Sequence, residues 1–200
     1  MPAVKAHTAD LATRLVDEAG RLLSEEGAAA LSLRRLATAT GTSTMAVYTL
    51  FGDKRGLLAA MYRAGFERLG AAMSSAVAGI DDPLSALAEL GLAYRRAALA
   101  NPHLYDLMFG RPVAAFDPDP ADRETAEATF RPLVDAVQRC MDSGVIVAAD
   151  AERVASYLWA VSHGMVSLEL AGQLADDLAA RDAAYTDALI FSTIPFLPAQ

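Results

Sequence analysis

The residues best placed to do chemistry lie in one stretch, Ser32 to Lys54, SLRRLATATGTSTMAVYTLFGDK. Leu33, Leu36 and Ala37 repeat at i, i+3 and i+4, and Val47, Leu50 and Phe51 repeat the same spacing, so two short helices each bury one face. Gly41 interrupts the pattern where a sharp turn needs a permissive backbone, and Ser43 is placed to cap the second helix. That arrangement turns Thr44, Met45, Tyr48 and Thr49 outward, with Lys54 and Arg55 just beyond. Short hydroxyl and apolar side chains in such positions can meet base edges and thymine methyl groups. A helix, a glycine turn and a second helix with a polar outer face is the layout of a DNA-reading helix-turn-helix.

Charge separates this reading from that of an ordinary helical hairpin. Residues 27–65 hold five cations (Arg34, Arg35, Lys54, Arg55, Arg63) and one acid (Asp53), a local net charge of +4. The whole chain is at −8, so the remainder carries −12. A positive patch on an acidic chain suits phosphate contact, because affinity for duplex DNA comes largely from counterion release. The overall acidity excludes a general nucleic-acid coat and fits a small reader joined to a larger region with another task.

The segment from about Asp10 to Leu69 resembles the N-terminal domain of TetR-type transcriptional regulators. The likeness rests on an amphipathic first helix, EEGAAALSLRRLA, the GTSTMAVYTLFGDK unit and an apolar fourth helix. Its most specific part is Tyr48-x-x-Phe51 followed by Lys54. The resemblance implies that Tyr48 and Lys54 bind phosphates flanking the major groove and that Phe51 is core. Thr42 stands where the family usually has Val or Ile, and Gly52-Asp53 replaces the commoner Pro- or Ser-containing link. On this basis Ser32, Arg34, Tyr48 and Lys54 are expected to hold phosphates, while Ser43 caps the reading helix at the interface. Thr44, Met45 and Thr49 are expected at base edges. The reading helix turns no Arg, Asn or Gln outward for a bidentate base contact, so specificity is expected to lean on DNA shape as well.

The elements that position these residues are helical throughout. Two hundred residues, 54% of them hydrophobic and rich in Ala and Leu, without strand-like alternation, predict an all-α protein of about nine helices. Two domains are expected: a helix-turn-helix DNA-binding domain over 9–69 and a helical ligand-binding and dimerisation domain over 80–197. The spacing predicts helices over 8–26, two in the reading unit, 53–77, 83–101, 102–109, 120–140 with a kink at Pro132, 151–172 and 179–194. GRPVAAFDP at 110–118 reads as a loop. A single cysteine, Cys140, excludes an internal disulfide and argues against a cysteine zinc site. MPAVKAHTAD lacks an apolar signal core, and the apolar run 154–172 carries Ser156, His163 and Glu169, so a buried helix beats a membrane span. A cytoplasmic location is expected.

The second domain must explain the rest. The eighth helix is apolar nearly all round, with Val154, Leu158, Val161 and Met165 on one side and Tyr157, Trp159, Val166 and Leu170 elsewhere. Such a helix needs cover on every face, which points to a partner subunit. Two-fold pairing would place two reading helices about 34 Å apart, or a multiple, on one DNA face. A homodimer through helices eight and nine is therefore expected, and the family resemblance implies the same. Trp159…His163-Gly164 and NPHLYDLMFG resemble the C-terminal domain of a TetR subgroup marked by Trp, His and Gly on helix eight. That resemblance implies an effector, of unknown identity, bound between helices. The available lining is Tyr94, Leu104, Tyr105, Met108, Phe109, Phe130, Trp159 and His163, although the same residues would equally serve as plain core.

No catalytic, metal or cofactor constellation is visible: His7, His103 and His163 have no metal spacing, and no nucleophile elbow or phosphate loop occurs. The expected function is a homodimeric repressor on double-stranded operator DNA, released by a small molecule. The alternative is a helical ligand-binding or scaffolding module that does not touch DNA.

Overall fold

The computed structural model describes residues 2–110, 113 and 116–199. Nine α-helices are found among them: α1 (Pro2–Glu26), α2 (Leu33–Ala39), α3 (Thr44–Phe51), α4 (Lys54–Ala76), α5 (Pro83–Ala100), α6 (Pro102–Tyr105), α7 (Pro120–Asp142), α8 (Ala151–Leu170) and α9 (Leu178–Thr193). No strand occurs among the described residues. The fold is all-α, as the periodicity predicts, and no described helix is long and apolar enough to cross a membrane. Residues 111, 112, 114 and 115 of the expected 110–118 loop lie outside the described residues.

The chain forms two compact units. One takes residues 1–67 together with 101–126, and the other takes 68–100 and 127–200. In the first unit Leu15, Ala19 and Leu22 of α1, Leu36 of α2, Val47 of α3 and Leu57 and Met61 of α4 make one buried core. Helix α1 begins at Pro2 rather than near Thr8, in keeping with the preference of proline for the first helical turn. Helix α2 ends in a Schellman turn. Gly41 has φ +67°, Thr42 N–H donates to the Ala37 carbonyl at 2.9 Å and Gly41 N–H to Thr38 at 3.3 Å.

The expected helix over 102–109 starts where predicted but differs in form: α6 stops at Tyr105 and residues 106–110 make a wider π turn. This turn seats Met108 against Gly65, where a β-carbon would meet its sulfur at 2.5 Å. His103 lies against Gly20. A β-carbon there would stand 1.9 Å from its ring.

In the second unit α5, α8 and α9 pack together around Leu90, Tyr94, Leu158, Val166 and Tyr185. The buried stripe of α8 is Val154, Ala155, Leu158, Ser162, Val166 and Glu169, with Val161 and Met165 only half-buried. It follows i, i+4 steps through a serine and a glutamate that a hydropathy reading passes over. Helix α9 docks on α5 at Gly91, whose missing side chain admits Leu189 and whose carbonyl accepts the Tyr185 hydroxyl at 2.8 Å.

The α3–α4 junction is the tightest local device. Gly52, at φ +74° and ψ −65°, centres a γ-turn in which Asp53 N–H donates to the Phe51 carbonyl at 2.9 Å. The Asp53 carboxylate then caps α4 by accepting Gly56 N–H at 2.8 Å. A β-carbon on Gly56 would stand 1.9 Å from the Phe51 carbonyl oxygen, a backbone atom that cannot swing aside. Gly56→Ala is therefore expected to cost about 1–3 kcal/mol of stability. Urea denaturation checks this; an unchanged midpoint would show that the junction relaxes freely.

Candidate functional site

Two regions carry the functional side chains, one in each unit. In the first, helices α2 and α3 are only seven and eight residues long and depend on their caps and on the core beneath. The Ser32 hydroxyl accepts Arg35 N–H at 3.3 Å, and the Ser43 hydroxyl accepts Ala46 N–H at 3.1 Å. Both serines are exposed and keep their own O–H free to donate outward. Val47 is fully buried, while Leu50 and Phe51 are half-buried, so the inner face matches the sequence spacing. On the outer face Met45 is 74% exposed and Tyr48 51%. Thr44 is half-buried and Thr49 exposed. Thr49 donates its hydroxyl proton to the Met45 carbonyl at 2.9 Å, so it offers a base edge its methyl group and an acceptor oxygen.

The basic patch is smaller than composition suggests. Arg35 pairs with Glu26, and Arg63 pairs at 2.6 Å with Asp122, a nearly inaccessible carboxylate at the start of α7. Lys54 is half-buried and donates to the Ala28 carbonyl at 2.6 Å, tying α4 to the α1–α2 connection. Its remaining N–H bonds can still reach a phosphate. Arg34 and Arg55 are exposed and make no ion pair among the described residues.

The second region divides the set named as possible pocket lining. Tyr94, Phe130, Trp159 and His163 come together in the second unit. The Trp159 indole N–H donates to the Tyr94 hydroxyl at 3.3 Å, the same hydroxyl meets His163 Nδ1 at 3.2 Å, and the Phe130 ring lies 5.9 Å from the indole. Leu104, Tyr105, Met108 and Phe109 belong to the first unit, where Phe109 packs edge-on to Phe66 at 5.5 Å. Aromatic and Met residues at helical spacing look alike in sequence whether they line a cavity or fill a core, and here the two groups separate.

A cavity of about 410 Å³ opens in the second unit. Tyr94, Trp159 and Ser162 line it with Leu90, Leu133 and Leu189, and no charged side chain among the described residues is part of its wall. Leu84, Ile190, Thr193 and Leu197 complete the wall, bringing in α9 and the C-terminal segment, which the sequence reading left out. Beside it lies an ion cluster that composition did not reveal. Arg95 donates to both Glu169 oxygens at 2.7 and 2.8 Å and pairs with Asp182 at 2.7 Å. Its guanidinium sits 5.2 Å from the centre of the Tyr185 ring. The only sequence signal was an acid and an arginine on apolar helices. Cys140 is buried, and burial pushes its thiol above the ordinary range, away from nucleophilic use.

Burial holds His163 below the ordinary histidine value of 6.5. A histidine with a depressed folded pKa stabilises the fold fully above its unfolded value and loses that contribution as pH falls below it. Wild type is expected to lose stability between about pH 7.5 and 5.5 more steeply than His163→Asn in urea melts. Parallel slopes would show that the ring takes up its proton without cost. Removing Arg95 alone (Arg95→Met) is expected to cost about 3–5 kcal/mol by leaving buried Glu169 with only the longer 3.9 Å contact to Arg181, and the Arg95→Met/Glu169→Met pair less. Additive losses in denaturant titrations would contradict that coupling.

Residues 15–61 match the family model "Bacterial regulatory proteins, tetR family", and residues 87–190 match "Tetracyclin repressor-like, C-terminal domain". No curated protein matches the chain. Among solved structures, a protein of unknown function from Rhodococcus sp. RHA1 is 31% identical, with 94% of this chain and 96% of that one covered and a TM-score of 0.81. A candidate regulatory protein, SCO4313, is 27% identical over 96% of this chain and 98% of that one, with a TM-score of 0.78. The TetR family transcriptional regulator PfmR from Thermus thermophilus shares the fold at 22% identity, covering 92% and 97% of the two chains with a TM-score of 0.70.

Proposed function

The chain belongs to the tetR family of bacterial transcriptional regulators, and from that premise we propose that it is a homodimeric repressor released from operator DNA by a small molecule. The observation that carries the reading is the outer face of α3. A capped helix exposes Met45, Tyr48 and Thr49, with Arg34 and Arg55 uncompensated on the same small unit. Tyr48, Arg34, Ser32 and Lys54 hold phosphates and set register, and Thr44, Met45 and Thr49 meet base edges. Ser43 holds the helix start that presents them.

The dimer forms through α8 and α9. Phe191 is 63% exposed, and Ile190, Ile194, Leu168 and Tyr157 are exposed with it, an apolar surface suited to a second copy. The effector occupies the second unit and acts only through a difference in affinity between the DNA-competent and released states, about 5.5 kcal/mol for a full switch. The protein acts in the cytoplasm and catalyses no reaction.

Fluorescence anisotropy against duplex from upstream of its own gene tests the DNA reading. Because Lys54 also ties Ala28, Arg34→Ala and Tyr48→Phe are the cleaner probes. Each is expected to weaken binding without lowering the melting temperature, and Arg34→Ala to flatten the salt slope by about one per protomer. Unchanged affinity in both would favour a ligand-binding module that does not touch DNA. Phe191→Asp is expected to give a monomer in sedimentation and to lose cooperative operator binding. A dimer that survives it would move the interface off α9.

A further inference from the structure

The cavity of the second unit is selective by what it lacks. Among the described residues its wall is mainly Leu, Met, Ala, Ile, Trp and Tyr, with hydroxyls as the only polar side-chain groups besides the indole N–H. Most of those hydroxyls are engaged. Ser192 donates to the Leu189 carbonyl and Thr193 to the Ile190 carbonyl, both at 2.7 Å. The Ser85 hydroxyl bonds the Asp82 carboxylate, and the Tyr94 hydroxyl is held by Trp159 and His163. Ser162 differs. It is only 7% exposed, lies on the buried stripe of α8, lines the cavity, and makes no side-chain hydrogen bond among the described residues. Its hydroxyl opens onto the cavity, so with no protein partner its hydrogen bonds come from whatever fills that space, water or a bound molecule.

We propose that this cavity takes an uncharged, mainly apolar molecule whose single hydroxyl or carbonyl oxygen hydrogen-bonds Ser162. The inference rests on the regulator reading, in which the second unit holds the effector, and it names the chemical class of that effector. A volume near 410 Å³ suits a ligand on the order of fifteen non-hydrogen atoms. A carboxylate or ammonium group would enter without a counter-charge on the wall, which low-dielectric surroundings penalise heavily. Arg95 does not supply one, because Glu169 and Asp182 already occupy its guanidinium.

Trp159 is the only tryptophan of the chain and lines the cavity, so its emission reports occupancy directly. The full-length protein, without DNA, is titrated with 1-octanol, 1-decanol, decanoate and decyltrimethylammonium, all below their aggregation limits. The alcohols are expected to saturate, 1-decanol more tightly than 1-octanol by about threefold or more per methylene. Decanoate and the ammonium compound are expected to bind at least about tenfold more weakly than 1-decanol. Ser162→Ala, a change that leaves packing intact, is expected to weaken 1-decanol about five- to twentyfold. Ser162→Leu is expected to abolish the response, with circular dichroism showing that the variant is folded.

Equal or tighter binding of either charged probe would overturn the inference, as would failure of every probe to saturate. A response that survives Ser162→Leu would mark adsorption to the exposed apolar surface and overturn it too. Because no DNA is present, failure of operator binding leaves this result standing, and failure of this titration leaves the DNA reading standing.

Discussion

A helix of seven or eight residues has little stability of its own in water, and every other property of the reading head depends on overcoming that constraint. Three devices meet it. The serine caps at Ser32 and Ser43 satisfy backbone donors at both helix starts. Leu36 and Val47 anchor the pair to a core built by α1 and α4. The Lys54–Ala28 bond and the Gly52 γ-turn then fix where α3 begins and ends relative to those helices. The outer side chains, Met45, Tyr48 and Thr49, contribute almost nothing to this stability. Met45 and Thr49, both exposed, can therefore be substituted without unfolding the unit that carries them.

The second unit meets a different constraint, the covering of an apolar α8. Part of that helix is buried against α5 and α9, where Arg95 holds Glu169 in a fork and also reaches Asp182. A buried ion pair is weak evidence for stability in itself, because desolvation offsets much of the attraction. Its geometric consequence is clearer: the fork ties α5 to both α8 and α9 and so constrains their mutual placement. That placement leaves the cavity on one side and the exposed apolar residues of α9 on another. Ile190 belongs to both, so the cavity wall and the surface proposed for dimer contact share a helix and one side chain.

Much of the fold was legible from the residues. The i, i+3, i+4 spacings at Leu33 and Val47, the turn at Gly41 and the cap at Ser43 located the reading unit to within about a residue. Periodicity carried this information because each short helix has one apolar face and a polar remainder. The same logic worked less well for α8. Hydropathy alone grouped Val161 and Met165 with Val154 and Leu158, although they are only half-buried, and left out Ser162 and Glu169, both of which are buried. A glutamate is acceptable inside because Arg95, seventy-four residues earlier in the chain, meets it there, with Arg181 at 3.9 Å. His103 shows the same limit, since its seat on Gly20 depends on a crossing of two helices that local sequence does not encode.

The sequence by itself determined the all-α class, the helix-turn-helix and the side chains it turns outward, because these follow from local periodicity, caps and turn chemistry. Only the tertiary structure decided which cations stay uncompensated. Arg35 and Arg63 are answered by Glu26 and Asp122 across the fold, while Arg34 and Arg55 are not. Tertiary structure also sorted the aromatic and Met residues, sending Tyr105, Met108 and Phe109 to the first unit and Tyr94 and Trp159 to the cavity. The physical reason is common to both outcomes. Charge compensation and cavity lining are properties of pairs brought together from distant positions, and a side chain's own type and spacing do not specify its distant partner.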